Sequence, residues 1–180
     1  MNHPTRVIIG LGNPGPTYAS HRHTIGFRIL DALAIKWNLP WRVGKQAATA
    51  EMVTNLGTPI LLVKPLTGMN RSGDIAPLLK KSGATAEHIL AVYDELEFPF
   101  GKIAVKQGGS AKGHNGVRSL IAAFGEQFYR LRFGIGRPPH KEMVPEYVLS
   151  PFTESDEQIA LCIKTAAQEA EKWALALTKI

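Results

Sequence analysis

Val7-Ile8-Ile9-Gly10-Leu11, running straight into Gly12-Asn13-Pro14-Gly15, is the stretch on which the fold turns. A short apolar run closed by glycine and proline predicts a buried strand with a sharp turn behind it. Downstream, Ile25, Ile29, Leu33 and Trp37 recur every fourth residue from Thr24, describing one face of a helix that Pro40 ends. Two strands are expected around Ala48–Leu56 and Ile60–Val63, turned by Gly57-Thr58-Pro59. A helix is expected from Ser72 to Lys81, stopped by Ser82-Gly83.

Ile89-Leu90-Ala91-Val92-Tyr93 predicts another strand, ended by Asp94, and Lys102–Gln107 alternates as a further one. The Gly108–Gly113 loop leads into a helix over Val117–Phe124, then a last strand at Leu131–Ile135 and a loop at Gly136-Arg137-Pro138-Pro139. From Thr153, read as a cap, Ile159, Ile163, Ala166, Ala170, Trp173 and Leu177 line one side of a C-terminal helix, with Cys162 buried and inert inside it. Strands interleaved with helices predict an α/β fold. The expectation is one domain over residues 1–180, a twisted mixed β-sheet flanked by helices in three layers.

Composition agrees. With 44% apolar and 20% charged residues in 180, the chain is an ordinary globule, which disfavours disorder, collagen and coiled coil. One cysteine excludes an intrachain disulfide and a multi-cysteine zinc site. Lys plus Arg against Asp plus Glu gives 21 − 15 = +6, a modest preference for polyanions such as nucleic acid, or simply a lysine-rich solvated surface. Met1–Arg6 lacks an apolar signal core and no run approaches the ~20 apolar residues of a membrane span, so a cytoplasmic location is expected.

Polar residues collect just after the expected strands. Asn13 follows the first, Thr67 and Asn70 follow Ile60–Val63, Asp94 ends the next, and His114-Asn115 follow the glycine-rich loop. Ligands of open α/β sheets bind beyond the carboxyl ends of strands, so these groups, with His23, are expected to share one cleft. Taken singly, Asn13 could be a turn residue, Asn70 and Asn115 helix caps, and Asp94-Glu95 exposed charge.

Several chemistries are disfavoured. Gly10-Leu11-Gly12-Asn13-Pro14-Gly15 fits a dinucleotide fingerprint in form, but Pro14 and Pro16 delete N–H groups that a pyrophosphate needs. Gly108–Gly113 is followed by His114-Asn115 rather than Lys-Ser/Thr, which argues against a nucleotide-hydrolysing loop. No nucleophile elbow is present, and His21-Arg22-His23 has no further ligands at metal spacing. What remains is an imidazole that activates water, with a carboxylate fixing its tautomer and uncharged amides facing a developing oxyanion.

Five ordered motifs resemble those of the bacterial peptidyl-tRNA hydrolase family. They are Gly10–Gly15 with Tyr18 and Arg22-His23, Pro65-Leu66-Thr67 with Met69-Asn70, Asp94-Glu95-Leu96, Gly108-Gly109-Ser110-Ala111 with Gly113-His114-Asn115-Gly116, and Arg130–Pro138. The resemblance implies a monomeric, cytoplasmic esterase with no cofactor and no metal. It would cleave the ester between a peptide and the 3′ ribose of tRNA, recycling prematurely released peptidyl-tRNA, and would engage neither DNA nor a membrane. By the same resemblance His23 is the general base, Asp94 its orienting carboxylate, and Asn13 the residue placing water and substrate. Tyr18, Gly68, Met69, Asn70, His114 and Asn115 would line the site, while Lys106 and Arg132 would hold the tRNA 5′-phosphate. Three positions depart from the family pattern: Thr24 replaces the Asn after the histidine, Gly68 an aromatic residue, and Lys112 a glycine. The competing reading is a non-catalytic RNA-binding module on the same fold, which would have no use for a base with its carboxylate.

Overall fold

Successive residues of the first strand serve opposite sides of the sheet. In the computed structural model, which describes residues 4–176, β1 (Arg6–Gly10) sends Ile8 into one core and Val7 and Ile9 into another, all fully buried. An uninterrupted apolar run encodes such a two-sided strand. At about 1.5–3 kcal/mol per buried aliphatic side chain, these three residues contribute several kcal/mol before conformational entropy is counted.

The other strands are β2 (Arg42–Val43), β3 (Ala47–Val53), β4 (Pro59–Pro65), β5 (Ile89–Glu95), β6 (Ile103–Gln107) and β7 (Tyr129–Gly134). The helices are α1 (Ile25–Lys36), α2 (Ala76–Lys81), α3 (Asn115–Phe124), α4 (Val144–Val148) and α5 (Asp156–Leu175). One seven-stranded sheet has the order β2-β3-β4-β1-β5-β7-β6. Its four inner strands are parallel, and β3 and β6 pair antiparallel at either side of them. Helices α1 and α5 cover Ile8, Leu62, Leu90 and Phe133 on one face. Helix α3 and the segment from Met69 to Leu79 cover Ile9, Val63 and Ala91 on the other. The expected mixed sheet between helical layers is present.

Helix α1 approaches the sheet at backbone contact. A β-carbon on Gly26 would stand 2.3 Å from the Val92 carbonyl oxygen and 2.4 Å from the Leu11 nitrogen, so only glycine fits. This closeness sets the turn before α1, which carries His23, against the end of β5, which carries Asp94.

Some expectations need correction. Strand β5 runs past its expected end at Tyr93 to include Asp94 and Glu95, 4% and 8% exposed, which removes the alternative that they are surface charge. Strand β6 is antiparallel, with Gln107 opposite Tyr129 at the start of β7. It therefore ends at the far edge of the sheet, and its loop must travel back to bring His114 to Asp94. Buried Arg130 on β7 holds that loop by donating to the carbonyls of Gly109 and Ser110, and also to that of Glu126. The helix expected from Ser72 begins as 3-10 turns at Met69, with Arg71 out of helical geometry, and becomes α2 only at Ala76. Ser155, not Thr153, caps α5, in a reciprocal pair with Gln158. Leu177 lies outside the described residues. Among the described residues no helix is long and apolar enough to cross a membrane.

Candidate active site

His23 sits on the 3-10 turn Arg22–Thr24, 14% of its side chain exposed, with Nδ1 at 2.9 and 3.0 Å from the two Asp94 carboxylate oxygens. His114 approaches the same carboxylate from the loop before α3, its Nε2 at 2.9 Å from Asp94 Oδ1. The network fixes both tautomers. His114 Nδ1 accepts the Val117 N–H at 3.3 Å as the cap of α3, so its proton lies on Nε2 and is donated to Asp94. His23 donates through Nδ1, which leaves Nε2 with a free lone pair and no protein partner among the described residues.

Burial pulls the His23 pKa down, but the adjacent Asp94 charge and hydrogen bond outweigh it and the net shift is upward. Burial alone would raise the Asp94 pKa, yet His23 and His114 hold it far below the usual carboxylate range. The carboxylate is thus ionised throughout the neutral range. The third aromatic of the cluster, Tyr93, packs edge-on to His114 at 5.0 Å, its phenol pushed up to about 12 by burial.

Among the described residues, His23, Asp94 and His114 form the one group of potential metal-ligand atoms, within 4.8 Å of one another. Their protons argue for a relay instead. A metal on His114 Nε2 would need the proton on Nδ1, where it would face the Val117 N–H.

The amides are arranged as donors. Asn13 Oδ1 accepts the Met69 N–H at 2.9 Å, and Asn115 Oδ1 accepts from Arg118 at 2.9 Å, so each presents its NH2 group. Neither Asn115 nor Asn70 caps a helix, because His114 and Gly68 hold those positions. Thr24, buried, accepts the Asn13 N–H through Oγ1 at 3.2 Å and steadies the Asn13 loop.

Two clefts meet at His23. The first, about 440 Å³, runs from Asp94 and His114 past Lys112 to Lys106 and Arg132. The second, about 490 Å³, lies over Asn13, Gly68, Met69 and Asn70. Asn115, like His23, lines both. Tyr18 lines neither and instead meets the His21 ring edge-on at 5.5 Å. Arg132 is less free than expected: its guanidinium faces Glu95 at 3.5 Å and lies 4.5 Å from the Phe98 ring centre.

Sequence reasoning did not foresee the wall shared by the clefts. Val144, Pro145 and Val148, all on α4, line one or both, and Arg22 anchors that segment. Its guanidinium donates to the Tyr147 carbonyl at 3.0 Å and stacks 3.9 Å from the Tyr147 ring centre. A contact spanning 125 positions leaves no local signal.

The family model described as peptidyl-tRNA hydrolase matches residues 7–179. The chain belongs to the peptidyl-tRNA hydrolase family. The peptidyl-tRNA hydrolase of Enterococcus faecalis is 45% identical over 170 residues, 92% of this chain and 89% of that protein. That of Geobacillus thermodenitrificans is 39% identical over 170 residues, 93% and 91% of the two chains. The crystal structure of peptidyl-tRNA hydrolase from Acinetobacter baumannii is 32% identical with a TM-score of 0.81, covering 97% of this chain and 94% of that one. As a member of this family the chain is a hydrolase acting on peptidyl-tRNA. The departures from the peptidyl-tRNA hydrolase motifs now have physical settings. Thr24 supports Asn13, Gly68 has φ +87° on the floor of the second cleft, and Lys112 has φ +46° at the first.

Proposed function

We propose that His23 Nε2 is the general base for hydrolysis of the ester between the peptide and the 3′ ribose of tRNA. Water adds through its oxygen to the ester carbonyl carbon while its proton passes to His23 Nε2. The tetrahedral oxyanion then collapses, the bond from carbon to the ribose oxygen breaks, and the imidazolium returns the proton to that oxygen. Asp94 holds the ring and balances the imidazolium, and the NH2 groups of Asn13 and Asn115 face the developing negative charge. No metal or cofactor takes part in these steps.

The single observation carrying this reading is the 2.9 Å contact of His23 Nδ1 with Asp94, which leaves Nε2 as the acceptor facing both clefts. A module that only binds RNA gains nothing from it. Donor-only amides also suit an N-blocked substrate. The carbonyl of an acylated amine accepts from the Asn13 NH2 group, whereas a free α-ammonium has only protons to offer. The peptide then lies in the second cleft, with the 3′ end at His23. Lys106 and Arg132 meet the tRNA 5′-phosphate in the first cleft, and Tyr18 stands outside this contact set. A monomer in the cytoplasm suffices for all of this.

EDTA-treated protein should be incubated with N-acetyl-aminoacyl-tRNA and with unblocked aminoacyl-tRNA. Release from the first alone is expected. Release from both, or from neither, overturns the proposal.

A further inference from the structure

The first cleft is lined by three carboxylates and five basic side chains. Each carboxylate is already matched: Asp94 by two imidazoles, Glu95 by Arg132 at 3.5 Å, and Glu97 by Arg137. Among the described residues, Lys106, Lys112 and Lys141 have no carboxylate partner. Two of them are joined by one loop. Lys106 is the penultimate residue of β6, and a β-carbon on Gly109 would stand 2.8 Å from its Nζ, so the loop folds beneath that ammonium. Lys112 follows at the loop's far end with φ +46°, a conformation that a β-carbon disfavours. Strain retained at the mouth of a cleft is a reason to look for a role.

We infer that Lys112 is a further arm of this anion site, closing with Lys106 in front of Arg132 on a terminal phosphate of the tRNA. This rests on the reading that the cleft takes tRNA by its 5′ end. A terminal monoester carries about −1.5 to −2 at neutral pH, which suits two unpaired ammonium groups better than the single charge of a chain diester. Arg132 stands behind them, its charge already answered by Glu95. The Lys106 ammonium feels its neighbours: burial, then Arg132, Arg130 and Lys112, outweigh Glu95 and lower its pKa, and a bound anion would relieve that repulsion.

The test is binding of 5′-phosphorylated and 5′-dephosphorylated tRNA across a salt series. Wild-type protein is expected to prefer the phosphorylated form. Lys112→Gly should weaken that form alone by about fivefold and flatten the log–log salt slope by about one unit. Its melting temperature should rise, since glycine adopts this φ freely, which separates lost contact from lost fold. Lys112→Arg should restore the slope. If Lys112→Gly binds as wild type while Lys106→Ala is weakened, Lys112 merely points to solvent and the inference fails. Indifference of the wild type to the 5′-phosphate, with Lys106→Ala unchanged, removes the parent reading and this inference together.

Discussion

Asp94 Oδ1 lies 2.9 Å from His114 Nε2, the same distance at which it meets His23 Nδ1. One oxygen therefore accepts hydrogen bonds from two imidazoles, and His114 acts on His23 through the carboxylate between them. Removing the His114 donor leaves that carboxylate more basic, so it holds the His23 imidazolium more tightly. His114→Asn should lower turnover about tenfold, the worth of one hydrogen bond to a charged group at ~1.5 kcal/mol. The acidic limb of the pH profile should move to higher pH. Asn is a good helix cap, so the melting temperature should hold, whereas His114→Ala should cost about 1 kcal/mol by uncapping α3. An acidic limb that stays in place would show that His114 does not act through Asp94.

His23→Ala removes the proton acceptor and little else. Hydrolysis of N-acetyl-aminoacyl-tRNA should fall about 10²–10⁴-fold, the usual contribution of a general base. Affinity for the uncleaved substrate should persist, because the amides and lysines are untouched. Single-turnover rates and equilibrium binding separate the two; normal turnover in this variant would falsify the role of His23.

The layers of the fold were legible because their signals are local. Val7–Leu11, Ile89–Tyr93 and the four-residue spacing after Thr24 each state their burial within a few residues, and they became β1, β5 and α1. The catalytic pair could be read as residue types but not as a distance, since His23 and Asp94 are separated by 71 positions. What eluded the sequence depends on strand direction and remote anchors. Nothing in Lys102–Gln107 reveals that β6 runs antiparallel, and the buried clamp of Arg130 becomes visible only once the returning loop is in place. Helix α4, five residues long, is too short to show a period.

The relay also ties stability to pH. The folded His23 pKa is raised, so its contribution is complete below the unfolded imidazole value of ~6.5 and is lost as pH rises through the folded value. The Asp94 pKa is depressed, so its contribution is complete above the unfolded carboxylate value of ~3.9 and is lost as pH falls towards the folded one. Both act together from about pH 4 to 6.5. Melting temperature measured from well below to well above that range should be maximal within it, and Asp94→Asn should flatten both flanks. A variant curve parallel to the wild type would deny the linkage.

Arg130 offers the sharpest separation of scaffold from chemistry. It is fully buried on β7, donates to the carbonyls of Gly109, Ser110 and Glu126, and stacks 4.6 Å from the Phe128 ring centre. It makes no contact with His23 and lines neither cleft itself; it acts from beneath the first, where Ser110 and Tyr93 are its partners, and two of its acceptors belong to the loop that ends in His114. Arg130→Met keeps the apolar stem and orphans three carbonyls at ~1–3 kcal/mol for each that water cannot reach, a net loss of about 2–4 kcal/mol. The urea midpoint should fall with an unchanged slope, since the surface exposed on unfolding is the same. Arg130→Lys should recover only part of the loss, because one ammonium cannot span the planar fork that reaches all three. Turnover should fall as well, with the acidic limb displaced in the direction expected for His114→Asn. The loosened loop withdraws the same proton from Asp94. If stability drops while the pH profile remains that of the wild type, His114 is held by its cap on α3 rather than by the loop.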